Sequence, residues 1–307
     1  MAMTGVIRAD QAGITLAVEA LRRGDVIGLP TETVYGLAGD LSNGAALQKI
    51  FAVKGRPHDH PLIVHIAETQ QLDALAGDVS DACRALVEQC WPGPLTVIVR
   101  AAKTVSRIAT GGRDTVAVRV PAHLVARAVI SELGSPLAAP SANRFGLVSP
   151  TLAHHVARDL GHDVALVLDG GPCDIGVEST IVDCTLARPQ ILRPGAITHD
   201  EVRRILATAA VTLADHATGP SRASGMLERH YAPAACLVLH ELASEVPTDG
   251  FPVLDCASDP VQAAHGLYAS LRAFDDADVS TVHVLLPPAE GLGYALRDRL
   301  SKAAAGH

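Results

Sequence analysis

The chain has 307 residues, of which 48% are hydrophobic and 3% aromatic, and its formal net charge is -8. This length is sufficient for a full core of mainly aliphatic side chains, and it suggests two domains. The negative net charge argues against a broad nucleic-acid-binding surface but does not exclude a local basic patch.

The first predicted elements are an amphipathic helix over ITLAVEALRRGD, ended by Gly24, and a short buried strand over VIGLP. A second helix is expected over SNGAALQKIFAVKG, capped near Ser42 and ended by Gly55, and a strand over PLIVHI. Next come a helix over VSDACRALVEQCWPG, strands over PLTVIVRA and TVAVRVP, a helix over AHLVARAVISELGSP and a strand over LAAPSAN. This region closes with strands over VALVLDGG, STIVDC and QILRPG and a helix over THDEVRRILATA.

The periodic pattern is lost over residues 208–234, as expected for a linker or a functional loop. Further strands are predicted over CLVLHE, PVLDC and STVHVLLP, and helices over DPVQAAHGLYASLRAFDD and LGYALRDRLSKAAA. We therefore predict an α/β domain with a mixed sheet at 1–207, a linker or functional loop at 208–234 that could act as a lid, and a small C-terminal α/β domain at 235–307.

The six cysteines are scattered and form no C-x-x-C pair, so the sequence suggests neither a zinc knuckle nor a redox motif. A reduced cytoplasm is the simplest interpretation of that cysteine usage. The start, MAMTGVIRADQAG, lacks the apolar core of a signal peptide, and no run of about 18 apolar residues predicts a membrane span. We therefore expect a cytoplasmic protein that does not enter a membrane.

Polar side chains that suit an anion occur in several of these segments. Lys54 and Arg56, in AVKGRPHDHPLIVHI, offer a compact charge and a planar fork, which bind phosphate oxygens in different ways. Ser141 and Asn143, in APSANRFGLVSP, add neutral donors. Arg119 lies inside the apolar run TVAVRVP, where a charge is costly unless it meets an anion. Together these residues predict an anion site.

Each residue also has a structural interpretation. Thr31 and Thr33 suit a turn or a cap, and Arg119 suits a structural ion pair. His60 lies beside a proline in a segment that suits an exposed loop, while His65 suits a satisfied position in the core. On these grounds the sequence leaves both interpretations open.

Several catalytic motifs do not occur in the sequence. There is no G-x-x-x-x-G-K-[ST] loop, no G-x-G-x-x-G, no G-x-S-x-G elbow and no H-E-x-x-H. The residues therefore suggest no covalent nucleophile. A reaction that depends on positioning and charge neutralisation, such as phosphoryl or nucleotidyl transfer, fits this set of side chains.

A resemblance to a known family is carried by PTETVYGL, KGRPHDHPLIVHI, APSAN, GVESTIVD and LRPGAI. Together they resemble the YrdC-like family, and within it the L-threonylcarbamoyladenylate synthases. The stretch SGMLERHYAP resembles the linker signature of the long, two-domain members, although it lacks a Pro before its Gly and a Lys after its Met. His60 stands where the family usually has Asn. The implied fold is α/β, with a YrdC-like twisted mixed sheet, flanking helices and a smaller C-terminal α/β (Rossmann-like) domain.

The resemblance implies a nucleotidyltransferase that makes L-threonylcarbamoyl-AMP and diphosphate from L-threonine, bicarbonate and ATP, with Mg²⁺ accompanying ATP and no direct protein ligand to the metal. The product would serve threonylcarbamoyladenosine modification of tRNA beside the anticodon, through a partner tRNA threonylcarbamoyltransferase, with room for a weak contact to tRNA. Lys54 and Arg56 would stabilise charge. The implied ATP-binding residues are Lys54, Arg56, His60, Thr115, Ser141, Asn143, Ser149, Arg193, His230 and Tyr231. The implied threonine-binding residues are Thr33, His65, Arg119, Ala139 and Ser179.

Two other classes of protein remain as alternatives. One is a carbamoyl-handling transferase, in which a YrdC-like module normally accompanies zinc-finger and acylphosphatase modules. The cysteine clusters that zinc fingers need do not occur in this sequence. The other is a non-catalytic RNA-binding module with a concave surface. The acidic balance argues against that module, and a local basic patch would favour it.

Overall fold

The computed structural model describes residues 5–214 and 230–305. In chain order, its strands and α-helices are β1 (Val6–Arg8), α1 (Gln11–Arg22), β2 (Ile27–Leu29), β3 (Gly36–Asp40), α2 (Gly44–Lys54), β4 (Ile63–His65), α3 (Leu72–Leu75), β5 (Ala76–Asp78), α4 (Asp81–Cys90), β6 (Leu95–Ala101), β7 (Thr115–Arg119), α5 (Leu124–Leu133), β8 (Leu137–Ala138), α6 (Ala153–Leu160), β9 (Val167–Asp169), β10 (Thr180–Asp183), β11 (Gln190–Arg193), α7 (His199–Thr208), β12 (Cys236–His240), β13 (Val253–Asp255), α8 (Pro260–Asp276), β14 (Thr281–Leu285) and α9 (Gly293–Ala304). Short 3₁₀ turns lie at Thr69–Gln71, Gly161–Asp163 and Ala243–Glu245.

The first eleven strands form one mixed sheet. Ten of them follow the order β1-β9-β2-β3-β8-β4-β7-β6-β10-β11, and β5 pairs with β6 off that path. Parallel pairs such as β4 with β7 and β6 with β10 alternate with antiparallel pairs such as β7 with β6. The predicted mixed α/β sheet is therefore confirmed.

The last three strands form a separate sheet in the order β12-β14-β13, and both pairs are parallel. Parallel neighbours require crossover connections, and α8 supplies the one between β13 and β14. The predicted small α/β unit after the linker region is thus present. The exact domain bounds stay a prediction, since Leu213 is still buried in the core of the first unit and residues 215–229 lie outside the described residues.

Local sequence signals explain the helix ends near the functional residues. Asn43, rather than the neighbouring Ser42, caps α2 by accepting from the amides of Ala45 and Ala46. Gly55 ends α2 with φ of 64°, a left-handed conformation that glycine adopts without strain. This turn directs the chain from Lys54 at the helix end into the segment that contains Arg56 and His60.

Several elements were not predicted. Strand β3 reads GLAGD, whose two glycines hide its period, and α6 reads AHHVARDL, a helix of only eight residues with polar side chains at four of them. Strand β1 and the pair α3 and β5 are very short. No helix in the described parts of the chain is both long and apolar enough to cross a membrane.

Candidate active site

A cleft opens where several strands of the large sheet end, and most of the predicted binding residues line it. The loop after β2 contributes Thr33, β4 contributes His65, and β7 contributes Arg119. The predicted residues in its wall are Thr33, Arg56, His65, Arg119, Ala139, Ser141, Ser179, Arg193, His230 and Tyr231. Residues far apart in sequence, from the first unit and from the end of the linker region, are therefore brought together.

Three buried arginines, Arg56, Arg119 and Arg193, line the cleft. Arg56 is 7% exposed, and its guanidinium donates to the Pro61 carbonyl oxygen at 3.0 Å. Arg193 donates from Nε to the Ser179 carbonyl oxygen at 3.0 Å and from Nη2 to the Ser179 hydroxyl at 3.1 Å. Burial, reinforced by Arg193, lowers the pKa of Arg56 to about 10, which still leaves it charged at neutral pH. Anionic ligands suit such a wall.

The third arginine, Arg119, forms an ion pair inside the cleft. Its Nη2 lies 2.7 Å from Glu32 Oε1, and its Nη1 donates to the Thr33 hydroxyl at 2.8 Å. Burial favours the protonated form of Glu32, but Arg119 outweighs that effect and the pKa of Glu32 is lowered. The sequence left open whether Arg119 forms a structural ion pair or belongs to an anion site. It forms the ion pair and is also part of the cleft wall.

Lys54 lies behind the cleft wall. Its ammonium group is buried and donates to the carbonyl oxygens of Ser141 at 2.5 Å and Asn143 at 2.7 Å. The Asn143 amide in turn donates to the Arg144 and Leu147 carbonyl oxygens, at 2.7 and 2.8 Å. In this structure both side chains brace the loop that carries Ser141.

His60, Thr115 and Ser149 do not line the cleft. The His60 ring is 5.5 Å from the Phe145 ring, centroid to centroid, and burial together with Arg56 lowers the pKa of His60. Thr115 begins β7 and pairs with Arg100 in β6, and the Ser149 hydroxyl donates to Glu178 at 2.6 Å. These three residues have no direct place in the cleft wall as the structure presents it.

Two buried carboxylates, Glu32 next to the cleft and Glu178 in its wall, were not among the site residues predicted from the sequence. Glu32 neutralises Arg119, and Glu178 accepts from Ser149 and from a second partner, Arg299. Glu32 is the one charged residue in PTETVYGL, and Glu178 lies among apolar and hydroxyl residues in GVESTIVD, where an acidic side chain that becomes buried needs a partner. Their partners are distant in sequence, so pairing could not be read from spacing.

His230 and Tyr231 present buried polar atoms toward the cleft. His230 Nδ1 and the Tyr231 hydroxyl have no hydrogen-bond partner among the described residues. Tyr231 has a φ of 64°, which is unusual for a residue with a side chain. A buried polar group left unsatisfied costs about 1–3 kcal/mol, so groups of this kind at a cleft indicate a polar ligand. Burial lowers the pKa of His230 to about 3, so the ring is neutral at physiological pH.

The donor set does not fit a metal ion bound directly by protein. No group of three or more His, Cys, Asp or Glu side chains that could hold a metal occurs within 5–214 and 230–305. The two carboxylates at the cleft, Glu32 and Glu178, are already paired with Arg119 and Arg299. Neither carboxylate is free to act as the oxygen ligand that Mg²⁺ prefers.

Comparison with known proteins extends this description. Residues 19–195 match the Sua5, YciO and YrdC family model, described as telomere recombination, and residues 197–305 match the model described as threonylcarbamoyl-AMP synthase, C-terminal domain. The threonylcarbamoyl-AMP synthase of Bacillus subtilis is 39% identical, over 99% of this chain and 96% of its own length. That of Pyrococcus abyssi is 36% identical, over 96% of this chain and 95% of its own.

The solved structure of Pyrococcus abyssi Sua5 in complex with L-threonine superposes with a TM-score of 0.90 at 35% identity, covering 100% of this chain and 98% of that one. The fold and both halves of the chain therefore match proteins of one kind. The chain belongs to the threonylcarbamoyl-AMP synthase family, which confirms the resemblance inferred from its motifs.

Proposed function

We propose that the chain synthesises L-threonylcarbamoyl-AMP and diphosphate from L-threonine, bicarbonate and ATP. The observation that carries this proposal is a cleft that combines three buried arginines with unsatisfied polar groups, in a member of this family. The relative solved with L-threonine supports the amino-acid part of the assignment. The nucleotide and bicarbonate are inferred from the reaction and from the charge of the cleft.

The threonine end of the site is proposed to lie around Arg119. A guanidinium can bind a carboxylate through two parallel hydrogen bonds, and Arg119 already holds the Thr33 hydroxyl at 2.8 Å. His65 lies on the neighbouring strand in register with Arg119, and burial lowers its pKa to about 3, so it offers a neutral ring. Ala139 and Ser179 complete this part of the wall.

The phosphate end is proposed to lie around Arg56 and Arg193. In the proposed reaction a carbamate oxygen of N-carboxythreonine bonds to the α-phosphorus, the bond to the bridging oxygen breaks, and diphosphate leaves. The carbamate and triphosphate repel each other, and buried cations reduce that cost. Ser141 supplies a neutral donor there, while Lys54 and Asn143 hold its loop.

Protection of the product from water is proposed for the linker region. His230 and Tyr231 lie in the cleft wall at the end of that region. Closure over a bound adenylate would exclude water and so protect a labile carbamoyl anhydride. Residues 215–229 of the predicted linker or lid lie outside the described residues.

Mg²⁺, tRNA modification and cellular location belong to the same proposal. Because the cleft carboxylates are paired, we propose that Mg²⁺ arrives bound to the triphosphate. The product would pass to a tRNA threonylcarbamoyltransferase, and any contact of this chain with tRNA would be weak. Six free cysteines support a reducing, cytoplasmic location.

The test is diphosphate release from ATP, measured with each substrate omitted in turn. We expect release to require L-threonine and bicarbonate together. L-serine and L-valine are the matched controls, since each removes one of the two groups on the threonine β-carbon. Equal release without threonine would refute the assignment.

A further inference from the structure

Glu178 places a negative charge in the wall of a cleft proposed to bind anions. It is 6% exposed and precedes Ser179, whose hydroxyl and carbonyl oxygen contact Arg193. Burial favours its protonated form, but Arg299 and then Arg193 outweigh burial and lower the pKa of Glu178 to about 2. The carboxylate is therefore ionised at neutral pH, and it would repel phosphate unless another group cancels its charge.

The groups that contact this carboxylate from the opposite side belong to the C-terminal unit. Tyr268 on α8 donates its hydroxyl to Glu178 Oε2 at 2.8 Å. Arg299 on α9 donates from Nε to the same oxygen at 2.8 Å, and from Nη2 to the Pro194 carbonyl oxygen at 3.0 Å. The Arg299 side chain is fully buried. Two helices that follow the linker thus contact a residue of the cleft wall directly.

The charges around Arg299 balance in a specific way. Arg299 also lies 2.6 Å from Asp298, which would compete with Glu178 for its charge. Asp298 is itself 2.6 Å from the Lys302 ammonium, one helical turn further along α9. Because Lys302 compensates Asp298, the charge of Arg299 remains available to Glu178.

The backbone of the C-terminal unit approaches the Glu178 segment very closely. Gly176 has a φ of 83°, and a Cβ at that position would lie 2.4 Å from the Ala264 carbonyl oxygen of α8. On the other side, the Tyr231 ring stacks on Tyr268, with centroids 5.8 Å apart, and faces the Arg299 guanidinium at 5.2 Å. The two helices therefore contact both Glu178 and the cleft residue Tyr231.

We propose that Arg299 and Tyr268 are positioning residues of the cleft, which hold Glu178 and cancel its charge so that Arg56 and Arg193 can act on an anionic ligand. This role would explain why helices of the C-terminal unit contact a residue of the cleft wall. The inference rests on the proposed function for its phosphate ligand and on the contacts of Glu178 for its mechanism.

A purely structural role for Arg299 is the alternative, and a second contact between the units provides a control. Arg158 on α6 pairs with Asp276 on α8 at 2.5 Å, and both side chains are substantially exposed. Neither residue lines the cleft. The substitution Arg158→Gln therefore weakens contact between the units without changing charge at Glu178.

The experiment measures the dissociation constants of inorganic diphosphate and ATP by calorimetry. In Arg299→Met we expect both constants to rise about tenfold or more, because a buried charge loses its partner. Adding Glu178→Gln to that variant should return both to within about threefold of wild type, since the repelling charge is gone. Arg158→Gln should leave both unchanged. Thermal unfolding first establishes that Arg299→Met is folded at the assay temperature. Loss of anion binding in the folded single variant, and its rescue by the second substitution, is the result that a purely structural role would not produce.

Other outcomes also decide the question. If Arg299→Met does not fold, Tyr268→Phe tests the same contact, and a smaller rise in both constants is expected. Failure of Glu178→Gln to restore anion binding, unchanged binding in Tyr268→Phe, or no anion binding by wild type would overturn the inference. Rescue in a protein that needs no threonine for diphosphate release would support the inference and refute the proposed function.

Discussion

Replacement of Arg119 by methionine should separate two roles that this arginine combines. Arg119 and Glu32 are each 5% exposed in their side chains, and their charged atoms are 2.7 Å apart. Removing one partner of a buried ion pair costs about 3–5 kcal/mol, since the other charge is left uncompensated. For a chain of this size we expect the unfolding midpoint to fall by roughly 5–8 °C. Loss of a charge-assisted contact to threonine should also raise its dissociation constant, by roughly tenfold to a hundredfold.

The double variant Arg119→Met/Glu32→Gln distinguishes stability from binding. It removes both charges, so most of the lost stability should return while threonine binding stays weak. Thermal unfolding and calorimetry with L-threonine measure the two effects on the same protein. The matched control is Arg127→Met, which breaks a more exposed arginine pair with Glu68 and should change stability by no more than about 1 kcal/mol. Threonine affinity equal to wild type in the folded single variant would refute the proposed role of Arg119.

Three further predictions follow from the site. Arg56→Ala should raise the ATP dissociation constant roughly tenfold to a hundredfold in calorimetry, whereas Lys54→Ala should lower both ATP affinity and thermal stability, because Lys54 supports the Ser141 loop; unchanged affinity in both would contradict the phosphate site. If His60 contacts the phosphates, its protonated form should bind ATP more tightly than Asn does, and because the pKa of His60 is lowered this gain should develop below the ordinary histidine pKa of about 6.5. Equal pH dependence of the ATP dissociation constant in wild type and His60→Asn from pH 5.5 to 8.5 would show that His60 does not contact the phosphates. Burial lowers the pKa of His65 to about 3, whereas an unfolded histidine has a pKa of about 6.5, so below that pH the unfolded state binds the proton first. The free energy of unfolding should then fall towards pH 3 by up to about 1.4 kcal/mol per pH unit, and denaturant titrations of His65→Asn should show a shallower fall.

The sequence was sufficient for the elements whose patterns are strong. The helix ended by Gly55 and the apolar strands β6 and β7 lie where periodicity predicts them. Strand β3 was missed because Gly36 and Gly39 mask its period, although its register with β2 and β8 holds the middle of the large sheet. Strand propensity describes how side chains pack, so a strand built largely of glycine and small residues gives little signal before its neighbours are known.

The candidate site was predicted through motifs and not through geometry. Arg56, Arg119 and Arg193 lie together in the cleft, but nothing in their spacing shows that Lys54 points away from it toward two carbonyl oxygens. The direction of a long side chain depends on the loop it meets, here the segment around Ser141. Pairing across the chain, as between Glu178 and Arg299, depends on tertiary contacts that no local pattern encodes.

The two buried carboxylates suggest how a cleft with three arginines could discriminate between the proposed ligands. Arg119 neutralises Glu32, so the proposed threonine end would have little net charge and would select a carboxylate by geometry. Glu178 faces Arg299 on the proposed anion side, which leaves Arg56 and Arg193 to attract phosphate. A cleft in which no arginine were paired with a carboxylate would bind any anion. Because each carboxylate has a different partner, the electrostatic potential differs between the two ends of the cleft. On this argument, specificity depends as much on where the acids are compensated as on where the arginines lie.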